Sequence, residues 1–393
     1  MRRSLALLAS ALIAYAGSTA QAVDPSLALP TYTSAYEPTN VDERGLWMQA
    51  DEAERRMRDS PLRIRDGNLE KYLLGVLCRE VGQERCAGVR LYAMEDPQFN
   101  ASMMPNGAMF VQSGFLLRVR NEGELAAVLG HEFAHFELRH GLNGFKNRRA
   151  GTDVMAWVTV LGGISNTPTG SAQLSLVGSI FRFNRDQETA ADLLGMKYIA
   201  QSGYPAHSAS EIWQSLIAEQ EATARGRKLK AKQQHLTAGF FDTHPTPLSR
   251  AVYLAQEADK LPTGGDPRKQ ELQDALAPYL PRFLAAQNKL NDFGGTDYIL
   301  SNLAARSGWT SDLLFARGEL YRARANPRDL QLASQFYREA KTAGYAAPDL
   351  DRNLGLALIR NGQVEEGRAA LSAYLTAAPE ASDAAIIHTL MAN

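Results

Sequence analysis

Hydrophobic residues recur with helical spacing along most of the chain, interrupted by two short runs of strand character. The pattern is helical and rich in charge over 42–86, whereas the apolar runs at 88–92 and 108–112 are short enough for strands. Helices are predicted over Asn121–His140 and Asp186–Gln201, and the C-terminal third has helical periodicity throughout. We therefore predict a mainly α fold, with a small sheet in its α+β part.

Local signals support both of the named helices. Asn121 is a good N-cap, Glu124 stands at the third helical position as in a capping box, and Gly141 suits the position after the helix. The second helix is expected to end before Gly203 and Pro205.

The first 22 residues are typical of a secretory signal peptide. Arg2 and Arg3 precede an apolar run over 5–16, and Ala20-Gln21-Ala22 is a small-x-small cleavage site. A membrane anchor is the alternative, but it needs about 20 apolar residues, which the run does not reach. Export predicts an oxidising environment. Cys78 and Cys86 are then compatible either with a disulfide or with two buried thiols.

Composition excludes several other classes of protein. The 393 residues are 45% hydrophobic and 22% charged, which is ordinary for a globular protein. With 42 basic and 43 acidic residues, the net charge of −1 provides no reason to expect a nucleic-acid partner. Two cysteines cannot form a disulfide scaffold or an all-cysteine zinc site.

The first helix carries the motif His131-Glu132-Phe133-Ala134-His135. Residues four apart share a helix face, so His131 and His135 can present two imidazoles to one zinc ion. Glu132 is then placed beside the metal to act on a water molecule as general base. The alternative is a surface helix with two unrelated histidines. We favour the metal site because the face that carries the motif is also apolar.

Zinc needs a third protein ligand, for which Glu188 on the second helix is the candidate. Asp192 lies one turn further along the same face, where it can accept the second N–H of a ligating histidine. The alternative is a solvated acidic stripe. Alanine and leucine surround the two acids, which favours a buried pair.

This constellation resembles the HtpX-like, Oma-like and BepA-like zinc metallopeptidases, a family that includes the CAAX prenyl protease type. The resemblance covers roughly residues 42–260. Before the histidine motif, it includes Asn100-Ala101, Pro105, Gly107 and Gly114. Around the third ligand, it includes Phe183-Asn184-Arg185 on the N-terminal side, and Thr243-His244-Pro245 and Arg250 on the C-terminal side. It implies an edge strand that binds substrate by β-addition, formed here by Gly107, Ala108, Met109, Phe110, Val111 and Gln112.

His244 and Arg250 have several possible roles. The resemblance implies that His244 stabilises the transition state or occupies the open zinc position and keeps the enzyme latent. A His-Pro turn that caps a helix is the alternative. Arg250 can steady a carboxylate or the oxyanion, or lie on the surface. His140 is five residues beyond His135, about 140° round an ideal helix, and is not expected to reach the metal.

The stretch over 154–181 has no charged residue. Neither of its apolar halves is long enough to span a bilayer. A buried hairpin or a cover over the active-site cleft is favoured, and peripheral membrane contact is the second possibility.

The C-terminal region contains an internal repeat. Gly318 and Tyr321 recur as Gly355 and Leu358, and the set Ala333, Tyr337 and Ala340 recurs as Gly367, Leu371 and Tyr374. The pattern resembles tetratricopeptide repeats, which implies an α-solenoid that holds a protein partner. A structural cap on the preceding domain is the alternative.

These observations predict an exported metalloendopeptidase with one Zn²⁺ per chain. The resemblance implies a periplasmic quality-control protease whose substrates would be misfolded or stalled outer-membrane proteins, with outer-membrane assembly machinery as a possible partner of the repeats. The alternative is a latent protease that acts mainly as a periplasmic chaperone or scaffold. The predicted segments are a signal peptide (1–22), an arm (23–41), a peptidase domain (42–260), a linker (261–269) and a repeat domain (270–393).

Overall fold

The computed structural model describes residues 28–150, 183–229, 247–262 and 264–392. The predicted signal peptide, the uncharged stretch over 154–181 and His244 lie outside the described residues. Helices dominate and accompany one small sheet, which confirms the prediction of a mainly α fold.

Three helices precede the sheet: α1 (Val41–Asp59), α2 (Gly67–Val81) and α3 (Gln83–Cys86). The side chain of Asn40 caps α1 and that of Asp66 caps α2, each by accepting a hydrogen bond from an amide of the first turn. Cys78 and Cys86 form a disulfide that joins α2 to α3. Of the two states left open by the sequence, the structure therefore has the bonded one.

The sheet contains β1 (Arg90–Met94), β2 (Ala101–Met103) and β3 (Ala108–Gln112) in the order β1-β3-β2. β3 pairs in parallel with β1 and antiparallel with β2. All five residues of β3 are buried.

The prediction that Gly107, Ala108, Met109, Phe110, Val111 and Gln112 form a substrate-binding edge strand is wrong. β3 is the central strand, so its backbone groups on both sides are used by neighbouring strands. The sequence pattern did not show β2, because three residues are too few for a visible alternation. Within the described part of the chain, β2 pairs only with β3, so its outer side is an edge of the sheet.

The next helices are α4 (Ser113–Arg118), α5 (Glu122–Glu137) and α6 (His140–Ala150). Asn121 caps α5 as predicted, but the helix ends three residues earlier than expected. Arg139 has a left-handed φ of 58°, which breaks the helix and makes His140 the first residue of α6. Because of this break, the side chain of His140 points in a different direction from the one it would have in a continuous helix.

Helix α7 (Arg185–Ser202) agrees with the predicted second helix to within one residue at each end. Asn184 and Gln187 form a capping box at its start, and Gly203 ends it with a left-handed φ of 80°. Helices α8 (Ser208–Gly226) and α9 (Pro247–Ala258) follow. α7 packs along α5, and α9 packs against α8 and α7.

The remaining chain is helical: α10 (Lys269–Leu276), a 3₁₀ turn (Ala277–Tyr279), α11 (Leu280–Asn288), α12 (Phe293–Ser307), α13 (Ser311–Arg324), α14 (Pro327–Thr342), α15 (Asp349–Arg360), α16 (Val364–Ala377) and α17 (Ala384–Ala392). The internal repeat corresponds to two helical hairpins, α13–α14 and α15–α16. Gly318 packs against the ring of Tyr337 in the first hairpin, and Gly355 packs against Leu371 in the second. Residues that are equivalent in the repeat therefore make equivalent contacts.

The main hydrophobic core continues across the predicted linker. It extends from Ile64 on the N-terminal side to Leu320 in α13. The linker is itself held in place, because the carbonyl of Pro267 accepts a hydrogen bond from the amide of Glu122 at 2.9 Å, and Asp266 donates to Gly203 at 3.0 Å. No helix within the described ranges is long and apolar enough to cross a membrane.

Candidate metal centre

Helix α5 brings two imidazoles together, as its four-residue spacing requires. The Nε2 atoms of His131 and His135 lie 3.1 Å apart, and both side chains are buried. A glycine at position 195 of α7 lies beside His131, where a Cβ would be 3.5 Å from its backbone nitrogen. α7 therefore lies close to the backbone of α5 at His131.

The close approach of α7 places Glu188 opposite the two histidines. Its carboxylate oxygens are 3.6 Å from Nε2 of His131 and 3.7 Å from Nε2 of His135. Ligands arranged tetrahedrally at about 2.0–2.1 Å from zinc lie roughly 3.3–3.4 Å from one another. The three ligand atoms match that spacing, so His131, His135 and Glu188 fit a metal ion.

The electrostatics of Glu188 also suit a cation. Burial raises the pKa of Glu188 to about 8, partly offset by the positive charge of Arg250. A buried carboxylate is unfavourable without a compensating charge, and a metal ion provides one.

Glu132 projects from the same helix, next to the first histidine. Its side chain is 3% exposed. Burial raises the pKa of Glu132, and the neighbouring Glu188 raises it further. Burial and the neighbouring carboxylate therefore favour the protonated form of Glu132, and a cation beside it would favour the charged form.

The other ring nitrogen of His131 is held by a charged pair. Nδ1 of His131 is 2.9 Å from Oδ1 of Asp192, which is one turn beyond Glu188 on α7. Arg250 on α9 forms an ion pair with Asp192, and its Nε donates to Oδ2 at 3.1 Å. The guanidinium of Arg250 is 1% exposed and stacks over Trp213 at 4.0 Å. Arg250 therefore steadies a carboxylate and does not lie on the surface.

The other ring nitrogen of His135 is held by neutral groups. Nδ1 of His140 lies 2.9 Å from Nδ1 of His135. The ring of Phe183 stacks on His135 with ring centroids 3.8 Å apart. Burial lowers the pKa of His140 to about 4. The sequence does not reveal this contact, because the predicted helix continues through His140 and residues 137–140 contain no glycine or proline to signal the break.

The structure thus brings together His131, Glu132, His135, Glu188, Asp192 and Arg250 in one buried cluster. His244 lies outside the described residues. A small cavity beside the cluster is lined by His135, by Phe183, and by Met103 and Pro105 from the end of β2. The end of β2 and His135 therefore line the same cavity.

Comparison with known proteins supports the same chemistry. Residues 64–258 match the profile of peptidase family M48. The mitochondrial metalloendopeptidase OMA1 of Schizosaccharomyces pombe is 31% identical over 162 residues, which cover 41% of this chain and 44% of that protein.

Two bacterial relatives have the name beta-barrel assembly-enhancing protease. The protein of Yersinia pestis is 26% identical over 300 residues, covering 72% of this chain and 59% of its own length. The protein of Escherichia coli is 22% identical over 218 residues, covering 53% and 42%. The chain thus spans about half the length of these curated relatives.

Proposed function

The chain belongs to peptidase family M48, with the BepA-like and Oma-like zinc metallopeptidases, and on that premise we propose that it is a zinc-dependent metalloendopeptidase of envelope protein quality control. One observation carries the proposal. His131, His135 and Glu188 converge on one point with Glu132 beside them. Two imidazoles and a carboxylate are the protein ligands of a common class of catalytic zinc site.

We propose one zinc ion per chain, bound by His131, His135 and Glu188. When bound, zinc supplies a Lewis acid that polarises the scissile carbonyl and lowers the pKa of a water molecule. Asp192 accepts the Nδ1–H of His131, which keeps Nε2 free to bind the metal. Arg250 balances the charge of Asp192 inside the protein.

Glu132 is proposed as the general base. It takes a proton from the attacking water and delivers it to the leaving amine, so its pKa has to lie near the working pH. Burial raises its pKa in that direction, and a bound cation lowers it again.

The outer edge of β2 is proposed as the substrate-binding strand. Extended peptides bind exposed sheet edges through backbone hydrogen bonds, largely independent of sequence. β2 ends at Met103, which lines the cavity next to His135. A peptide added to β2 would therefore reach the metal centre, and an unfolded client with free backbone groups would bind well.

We further propose that the protein is exported to the periplasm and acts on misfolded or stalled outer-membrane proteins. The signal-like segment over 1–22 and the names of the two bacterial relatives support this proposal. The hairpins α13–α14 and α15–α16 would present clients or contact assembly machinery. These hairpins equally favour a second candidate, a latent protease that acts mainly as a chaperone or scaffold.

Degradation of an unfolded model protein by the purified chain tests the proposal, with zinc content measured in parallel. Glu132→Gln should retain zinc and lose about 10²–10⁴-fold in rate, which is the usual contribution of one proton-transfer group. Asp186→Asn, a carboxylate-to-amide change at the exposed start of α7, is the matched control and should cleave normally. Cleavage by Glu132→Gln at the wild-type rate would refute the assignment of the base.

A zinc-loaded wild type that does not cleave, but prevents aggregation of an unfolded outer-membrane protein, would favour the second candidate. In that case, deletion of 311–393 should remove the anti-aggregation activity, and Glu132→Gln should keep it. A wild type that binds no zinc would contradict both candidates' metal site.

A further inference from the structure

We propose that His140 is a positioning residue, which accepts the Nδ1–H of the metal ligand His135 when zinc is bound and holds the orientation of its ring. The inference rests on the proposed metal centre and adds a residue to it. His140 is the first residue of α6 and is 7% exposed. Its place beside His135 depends on the left-handed backbone of Arg139, which turns the chain back towards the metal centre.

One ring nitrogen of His135 faces the metal site and the other faces His140. Nε2 of His135 is 3.1 Å from Nε2 of His131 and 3.7 Å from Glu188, so Nε2 is the ligand atom. A ligating nitrogen has no proton, and neutral imidazole therefore has its proton on Nδ1. That Nδ1 lies 2.9 Å from Nδ1 of His140.

Two N–H groups cannot face each other at that distance. His140 must accept the hydrogen bond at Nδ1, and its own proton then resides on Nε2. The opposite tautomer of His135 would place a proton on the ligand atom and exclude the metal. In the zinc-bound form, the hydrogen bond from His135 to His140 therefore holds the His135 ring with Nε2 towards the metal.

The surroundings make this hydrogen bond important. His135 is 2% exposed, so water cannot easily replace a lost acceptor. Phe183 stacks on the face of the ring and leaves the ring edge to His140. Stacking restricts the tilt of the ring and does not distinguish its two nitrogens, whereas His140 faces Nδ1 of His135 directly.

Three variants test the role of His140 through zinc affinity, measured by competition with a chelating dye. His140→Leu keeps much of the side-chain volume but removes the nitrogen that accepts from His135. It should weaken zinc binding about 10–100-fold. His140→Asn places an amide oxygen near the lost Nδ1 and should recover most of the affinity. His207→Asn, a histidine remote from the cluster that pairs with Asp259, should bind zinc as wild type does.

The wild-type chain also provides a spectroscopic test. Long-range ¹H–¹⁵N correlation of the zinc-loaded protein should show His135 protonated at Nδ1 and His140 at Nε2. This measurement is independent of the variants, so it decides the question even if His140→Leu does not fold.

Zinc affinity of His140→Leu equal to that of wild type, or His140 protonated at Nδ1 in the spectrum, would overturn the inference. Either result is compatible with an active, zinc-binding wild type, so the proposed function would stand. Loss of affinity in both His140→Leu and His140→Asn, with a wild-type spectrum that shows His140 donating, would also reject the acceptor role.

Discussion

The two histidines of the motif are held in different ways, although they lie on one helix and face one site. His131 contacts a charged pair, Asp192 and Arg250, provided by α7 and α9. His135 contacts a neutral imidazole and a phenyl ring, those of His140 and Phe183. One support is ionic and comes from distant segments. The other is uncharged, and its polar partner lies only five residues along the chain.

The difference follows from the charge already present in the site. Glu132, Glu188 and Asp192 are three buried acids, and Arg250 is the buried cation that pairs with one of them. A fourth carboxylate, placed at His135, would add a further negative charge to a site where burial already raises the pKa of Glu132 and Glu188. A neutral acceptor orients the ring without that electrostatic cost.

The largest effect is expected at Glu188, the carboxylate that faces both histidines. Glu188→Ala removes one of three protein ligands, so zinc affinity should fall by more than the roughly 10–100-fold typical of outer partners. Metal content after dialysis measures the loss, and Asp186→Asn at the exposed end of α7 is the control. Retention of one zinc per chain by Glu188→Ala would show that the metal lies elsewhere.

The charged support of His131 should affect both metal binding and folding. Asp192→Asn leaves Arg250 buried without its carboxylate, which should lower the free energy of unfolding by about 3 kcal/mol. Zinc affinity should also fall about 10–100-fold, because the amide is a weaker acceptor for His131. Urea unfolding of the zinc-free chain separates the two effects.

The neutral support predicts a contrast with that result. His140→Leu leaves no buried charge, so it should lower zinc affinity with a much smaller loss of zinc-free stability than Asp192→Asn. Equal destabilisation by the two substitutions would break the distinction between an ionic and a neutral support.

A smaller effect is expected for Arg250→Lys. Lysine keeps the positive charge but loses the forked contact with Asp192 and the flat stacking on Trp213. The free energy of unfolding should fall by about 1–3 kcal/mol. Zinc affinity should change less than in Asp192→Asn, because Asp192 remains to accept from His131. A zinc loss as large as that of Asp192→Asn would mean that the direct contact of Arg250 with His131, 3.0 Å from Nη2 to Nδ1, matters as much as Asp192 does.

The smallest expected effect is a change with pH in how much zinc stabilises the folded protein. The pKa of Glu188 is raised to about 8 in the folded chain, so without zinc this group contributes stability below its unfolded pKa of about 4.3. That stability is lost as the pH rises through about 8. Zinc binds the deprotonated form, so the increase in Tm on adding zinc should grow between about pH 6 and pH 8. Thermal unfolding with and without chelator measures it, and an increase that does not depend on pH would contradict the raised pKa.

The sequence by itself determined the residues whose relation is local. His131 and His135 share a face because they are four apart on one helix, and Glu188 and Asp192 do so for the same reason on another. The limits of α7 were readable within one residue, because Asn184 and Gly203 mark its ends. The equivalent glycines of the two C-terminal hairpins were likewise visible as a repeat.

Only the tertiary structure decided relations between segments. Strand order made β3 central and β2 the edge, and no periodicity within one strand contains information about its neighbours. Arg250 is buried because α9 packs against α7, which its own sequence neighbours do not indicate. His140 reaches His135 because one residue, Arg139, adopts a left-handed conformation that tertiary packing stabilises and local preference disfavours.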